Sequence, residues 1–269
     1  MTIKVSLEEL IKSGAHFGHQ TRRWNPKMEP FLYAKKDGVH VFDLITTKKL
    51  LEEALIILED ASKKEKKILF VGTKKQAKEN IRKIANETGN FFVDERWLGG
   101  TLTNFPQIKK SIDKLADMKL KLQKGEYKNF TKKERLLKER EISRLERFFG
   151  GLAGIKELPD LLVIVDARRE KGALQEAIAK NIEAIGIVDS NSNPTLVIYP
   201  IPMNDDATKA IEYVLELMKQ AIIQGQKKTE IRKKEAVEIK DAKSKKPKTA
   251  KKTPRKKNKS LKKKKVEKK

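Results

Sequence analysis

Two runs in this chain, Leu161-Leu162-Val163-Ile164-Val165 and Ala184-Ile185-Gly186-Ile187-Val188, restrict its fold more than any other feature. Neither alternates apolar with polar residues, so each reads as a strand buried on both faces. Lys67 to Val71 has the same character. Val39-His40-Val41-Phe42, Phe91-Phe92-Val93 and Leu196-Val197-Ile198-Tyr199 are shorter strand candidates. Segments of helical period lie between them. Leu50, Leu51, Ala54, Leu55 and Leu58 share one face behind Thr46 and Thr47, plausible N-caps, and Ala77, Ile81 and Ile84 share another. A helix around Leu174 to Ala179 and one carrying Ala210, Ile211, Val214, Leu217 and Met218 complete the series. Strands of this kind separated by helices predict an α/β fold, a parallel sheet with helices on both faces.

Pro106 to Phe149 breaks the alternation: it is charged, strand-free and rich in helix formers. Ile108, Ile112, Leu115 and Leu122 follow core spacing with Lys119 at the intervening core position, and Ile142, Leu145 and Phe149 continue on the far side of a turn at Gly125 to Thr131. The pattern predicts an antiparallel coiled-coil hairpin at 106–149, projecting from a sheet domain made of 1–105 and 150–225. Two helices packed flat on the sheet are the alternative. From Gln226 onward 22 Lys and Arg face 5 Asp and Glu, which supplies +17 of the chain's +25. Residues 226–269 are therefore expected to form a disordered lysine-rich tail, too poor in apolar surface to offset its conformational entropy.

A polycation of this kind suits a polyanionic partner. No run approaches the roughly 18 apolar residues of a membrane span, so no membrane partner is expected. Met1 to Leu10 carries Glu8 and Glu9 and lacks an apolar h-region, which reads as neither secretory nor transit signal. Without cysteine there is no disulfide, thiol chemistry or cysteine zinc cluster, in keeping with a cytoplasmic location.

Catalytic patterns are poorly represented. In an open parallel sheet ligands sit beyond the carboxyl ends of strands, here Asp43, Gly72-Thr73-Lys74-Lys75, Asp166 with Arg168 and Arg169, and Asp189-Ser190-Asn191. Gly72 to Lys75 opens a helix but lacks the spacing of a phosphate loop, and no GxGxxG follows any strand. Ser190 has no nucleophile elbow around it. His16 and His19 could meet Asp189 or Asp205 at a metal, although a His-x-x-His pair is more often structural. No enzyme activity, cofactor or metal is expected. A nucleotide-binding α/β enzyme with a basic tail, or a general nucleic-acid binder acting through that tail, are the alternatives.

Nucleic-acid chemistry is better supplied. His16-Phe17-Gly18-His19-Gln20-Thr21-Arg22-Arg23-Trp24-Asn25-Pro26-Lys27-Met28 packs cations, an aromatic and turn formers together without strand or helix alternation. Arg96-Trp97-Leu98-Gly99-Gly100-Thr101-Leu102-Thr103-Asn104 repeats the pairing of Arg with Trp beside glycines and neutral donors. Charge for phosphates and planar groups for exposed bases suit a folded-RNA surface. Trp24 and Trp97 could equally be core anchors, and Lys74 and Lys75 could touch a phosphate from their turn.

These two segments, with Ile68-Leu69-Phe70-Val71-Gly72-Thr73-Lys74-Lys75 and Tyr199-Pro200-Ile201-Pro202 followed by Asn204-Asp205-Asp206-Ala207, resemble the small-subunit ribosomal protein S-two family in order and residue type. The resemblance covers about Val5 to Gly225. It implies a flavodoxin-like (Rossmann-like) parallel sheet with an inserted helical hairpin of the bacterial and organellar type. It further implies a structural role in the small ribosomal subunit, in contact with small-subunit rRNA and neighbouring ribosomal proteins, and help in docking ribosomal protein S-one. The expected setting is the cytoplasmic ribosome, with an organelle-encoded ribosome as the alternative. By matching position, rRNA contacts are expected from Arg22, Arg23, Trp24, Lys27, Arg96, Trp97 and Asn104. Two positions depart from the family pattern: 189–194 lacks a frequent cysteine, and Met203 stands where glycine is common.

Overall fold

The computed structural model describes residues 3–244, with side chains described to residue 232. The chain divides into two units, Met1–Glu230 and Ile231–Lys269. The first holds two sheets. A small antiparallel sheet of order β1-β3-β2 is built from β1 (Phe17–Gln20), β2 (Leu32–Lys36) and β3 (Val39–Phe42). The main sheet has order β5-β4-β6-β7-β8, all pairs parallel, from β4 (Ile68–Val71), β5 (Phe91–Val93), β6 (Leu161–Val165), β7 (Glu183–Val188) and β8 (Tyr199–Pro202).

Strand alternation sends neighbouring side chains to two separate cores. Phe70, Val163 and Ile185 face α1 (Leu7–Lys12), α2 (Leu44–Lys63), α3 (Lys75–Thr88) and α7 (Thr208–Ser244). Leu69, Leu162 and Ala184 face the other way, with α4 (Phe105–Gln123), α5 (Lys132–Phe149) and α6 (Lys171–Ala179). The sheet is thus covered on both sides, and emptying one of its fully buried positions, as Phe70→Ala would, costs about 3–5 kcal/mol.

Local chemistry sets the helix ends. Asp43, rather than Thr46 or Thr47, caps α2 by accepting from Ile45 N, while buried Thr47 donates to the Pro202 carbonyl at 2.6 Å. Gly89 ends α3 in the left-handed conformation at φ 67°, and Thr131 with Glu134 forms a capping box on α5. Gly72 leaves no room for a side chain, because a Cβ there would run into Ile81 of α3.

Several expectations are corrected. Residues 17–20 form a strand rather than part of an irregular loop, and Val39–Phe42 joins the antiparallel sheet, not the parallel one. The last strand begins at Tyr199 instead of Leu196, where Pro194–Leu196 makes a 3₁₀ turn. Pro200 and Pro202 are tolerated because β8 is an edge strand, where a missing N–H breaks no ladder. Met203, at the position usual for glycine, is fully buried against the α7 side of the sheet.

Helices α4 and α5 pack on one another across the turn Glu126–Asn129, bridged by Lys114–Glu141 and Lys119–Glu146. Met118 takes the core position assigned to Lys119, and Leu122 is 43% exposed. Ile108 and Phe149 belong to the core of the sheet, whereas Leu120, Leu136 and Leu137 at the far end are exposed. The hairpin root is therefore part of the domain core. Irregularity expected from residue 226 gives way to helix, since α7 continues to Ser244. Lysines there are interleaved with Glu230, Glu235, Glu238 and Asp241, without Pro or Gly, which favours helix. The remaining tail, 245–269, lies outside the described residues.

Candidate nucleic-acid interface

Strand ends converge on one polar corner at the carboxyl edge of the main sheet. Asp189 and Ser190, both fully buried, follow β7. The Ser190 hydroxyl accepts from His19 N at 2.7 Å, and its carbonyl accepts from Asn25 N at 2.8 Å. A side chain at Gly18 would meet the same hydroxyl at 2.9 Å, which explains the glycine of this strand. These bonds fix the segment 21–28, whose Asn25 side chain also accepts from Lys27 N and whose Met28 is buried. Arg22, Arg23 and Lys27 project from this anchored backbone, exposed and without a hydrogen-bond or ion-pair partner among the described residues.

Trp24 is half-buried. Its ring tilts over the imidazole of buried His40 at 4.9 Å between centroids, and the Lys35 ammonium stands 5.4 Å from its centre. Nε2 of His40 has no hydrogen-bond partner among the described residues, and burial together with the Lys35 charge lowers its pKa, keeping the ring neutral. Trp24 is thus an anchor on one face.

Lys74 is placed differently from its expected phosphate contact. Its ammonium lies 2.6 Å from Asp205, 2.5 Å from Asp206 and 3.7 Å from Asp166. Burial opposes the charge, but the hydrogen bonds to Asp205 and Asp206 outweigh it and raise the pKa. Burial, with the charges of Asp189 and Asp166, pushes Asp205 up to about 7. His19 Nδ1 donates to the Asp189 carboxylate over 2.9 Å and Nε2 lies 3.5 Å from Asp206, and the Asp189 bond raises its pKa. Lys75, by contrast, opens α3 exposed and unpartnered among the described residues.

Of the metal-ligand candidates, His19 and Asp205 do come together, joined by Asp206, which the sequence did not single out, with Asp189 behind His19. His16 does not join them. It sits in the turn before β1, its ring packed on Phe17 at 4.0 Å and its Nδ1 unpartnered among the described residues. One imidazole and two carboxylates are suitable donors for a divalent ion. Lys74, however, already supplies positive charge to both carboxylates.

The second expected segment is organised by a residue that the sequence reading missed. Glu176 of α6 accepts from Gly100 N, Leu102 N and Thr103 N, from Trp97 Nε1 and from the Thr103 hydroxyl, at 2.8–3.0 Å. Burial would raise its pKa, but these bonds prevail and lower it. The amides of Gly100, Leu102 and Thr103 are therefore committed to a carboxylate of the chain itself, and Trp97 is anchored by the same group. Arg96 and Asn104 remain exposed with unpartnered side chains among the described residues. A lone Glu in a helix pattern gives no signal of such a role.

A similar substitution fills the turn after β4. Buried Glu170 accepts from Thr73 N at 3.0 Å and from the Thr73 hydroxyl at 2.6 Å, and burial pushes its pKa up. That carboxylate stands where a phosphate loop would hold its anion, which argues against the nucleotide-enzyme reading.

The sequence model of the Ribosomal protein S2 family matches residues 10–225. The chain is similar to the small ribosomal subunit protein uS2 of Petrotoga mobilis, 44% identical over 221 residues, which span 82% of this chain and 77% of that protein. The uS2 of a Picosynechococcus species is 42% identical, covering 82% of this chain and 86% of its own. The uS2c of Gracilaria tenuistipitata var. liui is also 42% identical, over 82% of this chain and 96% of its own.

Proposed function

The chain belongs to the Ribosomal protein S2 family, and from that premise we propose that it seats on the small ribosomal subunit by binding rRNA through its folded body. Its role is structural, in support of translation, and it is not an enzyme. The observation that carries the rRNA reading is a contrast in the use of charge. Arg22, Arg23, Lys27, Lys75 and Arg96 are exposed and unpartnered among the described residues, while Lys74 and the acids around it neutralise one another. Free cations on an anchored backbone are what phosphate contacts require. Asn104 adds a neutral donor, and Trp24 and Trp97 hold the two segments in place.

The hairpin serves as a coiled-coil arm, and the body also helps to dock ribosomal protein S-one. Phe17 and Tyr33, 52% and 79% exposed on the small sheet, offer apolar surface for a protein partner. Substituting Arg22→Ala together with Arg23→Ala tests the rRNA reading. Incorporation into small subunits should fall, and unchanged incorporation with an unchanged rRNA footprint would contradict it.

A further inference from the structure

The strand order of the all-parallel main sheet reverses between β4 and β6, and the chain leaves these two adjacent strands toward opposite edges. In open parallel sheets this point opens a crevice beyond the strand ends. Here the crevice measures about 500 Å³ and is walled by Thr73, Arg96, Trp97, Arg169 and Gly172. Asp166, at φ 67°, turns the chain sharply after β6, and its carboxylate accepts from Arg169 N.

Three acids also border this space, and each is already satisfied. Glu176 holds its five donors, Glu170 holds Thr73, and Glu95 pairs with Lys78 and Arg147. The cations make no direct salt bridge of this kind, although the charge of Glu170 acts on Arg169 through the shared Thr73 hydroxyl. Arg169 gives Nε to the Thr73 hydroxyl at 2.8 Å and makes no ion pair among the described residues, and Arg96 makes none either. The crevice therefore presents two guanidinium groups without a direct ion-pair partner among the described residues, beside an indole whose position Glu176 fixes. Gly172 faces that indole: a Cβ on it would lie 3.7 Å from Trp97 Cδ1.

We propose that this crevice receives a single unpaired nucleotide of the bound rRNA, its phosphate held by Arg96 and Arg169 and its base against Trp97. The inference rests on the rRNA-binding reading above and adds a site to it. Its size suits one nucleotide rather than a helix, and planar stacking with guanidinium contact is how unstacked bases are held.

Gly172→Leu fills the space from a helical position that tolerates a side chain, and Gly172→Ala adds one methyl at ordinary contact distance as a control. Full-length wild type and both variants are rebuilt into small subunits lacking this protein, and rRNA 2′-hydroxyl reactivity is read at each nucleotide. Wild type and Gly172→Ala should protect one unpaired nucleotide that Gly172→Leu leaves reactive, with subunit affinity lowered on the order of tenfold. Thermal unfolding of Gly172→Leu should match wild type, and a variant that fails to fold is replaced by Arg169→Gln with the same readout. A Gly172→Leu reactivity profile identical to wild type overturns the site while leaving the ribosomal reading in place. Failure of wild type itself to seat overturns both. Free nucleoside monophosphates are titrated in parallel against Trp97 fluorescence. Saturable binding that Gly172→Leu abolishes, without any change on rRNA, would assign the crevice to free nucleotides and overturn the RNA source.

Discussion

Lys74 and Arg22 both stand near the carboxyl edge of the main sheet, and they spend their charge in opposite ways. Lys74 is enclosed by Asp166, Asp205 and Asp206 and closes the end of the strands from within. Arg22 extends from a backbone held through Ser190 and meets no acid among the described residues. The same division separates Glu176, which consumes the donors of residues 97–103, from Arg96 immediately before them. In each pair a conserving contact builds the loop and an unsatisfied cation is left facing outward. Sequence alone shows two basic residues; only the fold tells which one is free.

The sharpest way to break this comparison is to remove the free member. Arg22→Ala with Arg23→Ala should lower affinity for the small subunit about tenfold to a hundredfold, as loss of charge-assisted contacts does, with the unfolding midpoint unchanged. Equal loss of folding stability would mean that these arginines belong to the structure after all. The internal member should behave inversely. Glu176→Ala leaves three amides and two side-chain donors unsatisfied and should cost about 3 kcal/mol in urea unfolding. A loss within the error of an ordinary surface substitution would remove its organising role.

Lys74→Met comes next, at about 2 kcal/mol, since three acids lose a common partner at a largely enclosed site. The salt dependence of RNA binding should stay as in wild type, and a shallower slope would show that Lys74 reaches phosphate. Glu176 also predicts a pH effect. Its folded pKa lies below the usual 4.5, so its contribution is complete above that value and is lost as pH falls through the folded pKa. Wild type should therefore lose stability in acid more steeply than Glu176→Gln, and parallel curves would contradict the assignment. The smallest effect belongs to Lys75→Ala, one exposed cation, which should reduce the salt slope by about 0.7–0.9 and affinity by a few-fold.

Much of this architecture is written in the chain. Continuous apolar runs identify β4, β6 and β7 because strands buried on both faces must be apolar throughout. The antiparallel sheet is harder to see: β2 is Leu-Tyr-Ala-Lys-Lys, exposed over most of its length, and β1 contains Gly18 and two polar residues. The site divides in the same manner. Cations and aromatics at 22–27 and 96–104 are visible as residue types, but their partners lie far off in sequence. Glu176 is 79 residues from Trp97, and Lys74 is 131 from Asp205. No local pattern encodes such pairings, so Lys74 and Trp97 read like Arg22 until the fold assigns them.

Truncation gives the most direct test of the central claim that the folded body seats this protein. The cut belongs after residue 244, because α7 continues to Ser244 and Gln226 and Thr229 bond to Thr88 and Lys63. Chain 1–244 is tagged, expressed in its own cells, and followed through a high-salt ribosome gradient beside the full-length chain. Recovery in stoichiometric amount with the small subunit is the predicted result. Release into the top fractions, while the full-length chain stays bound, would make the lysine-rich tail the anchor and contradict the account.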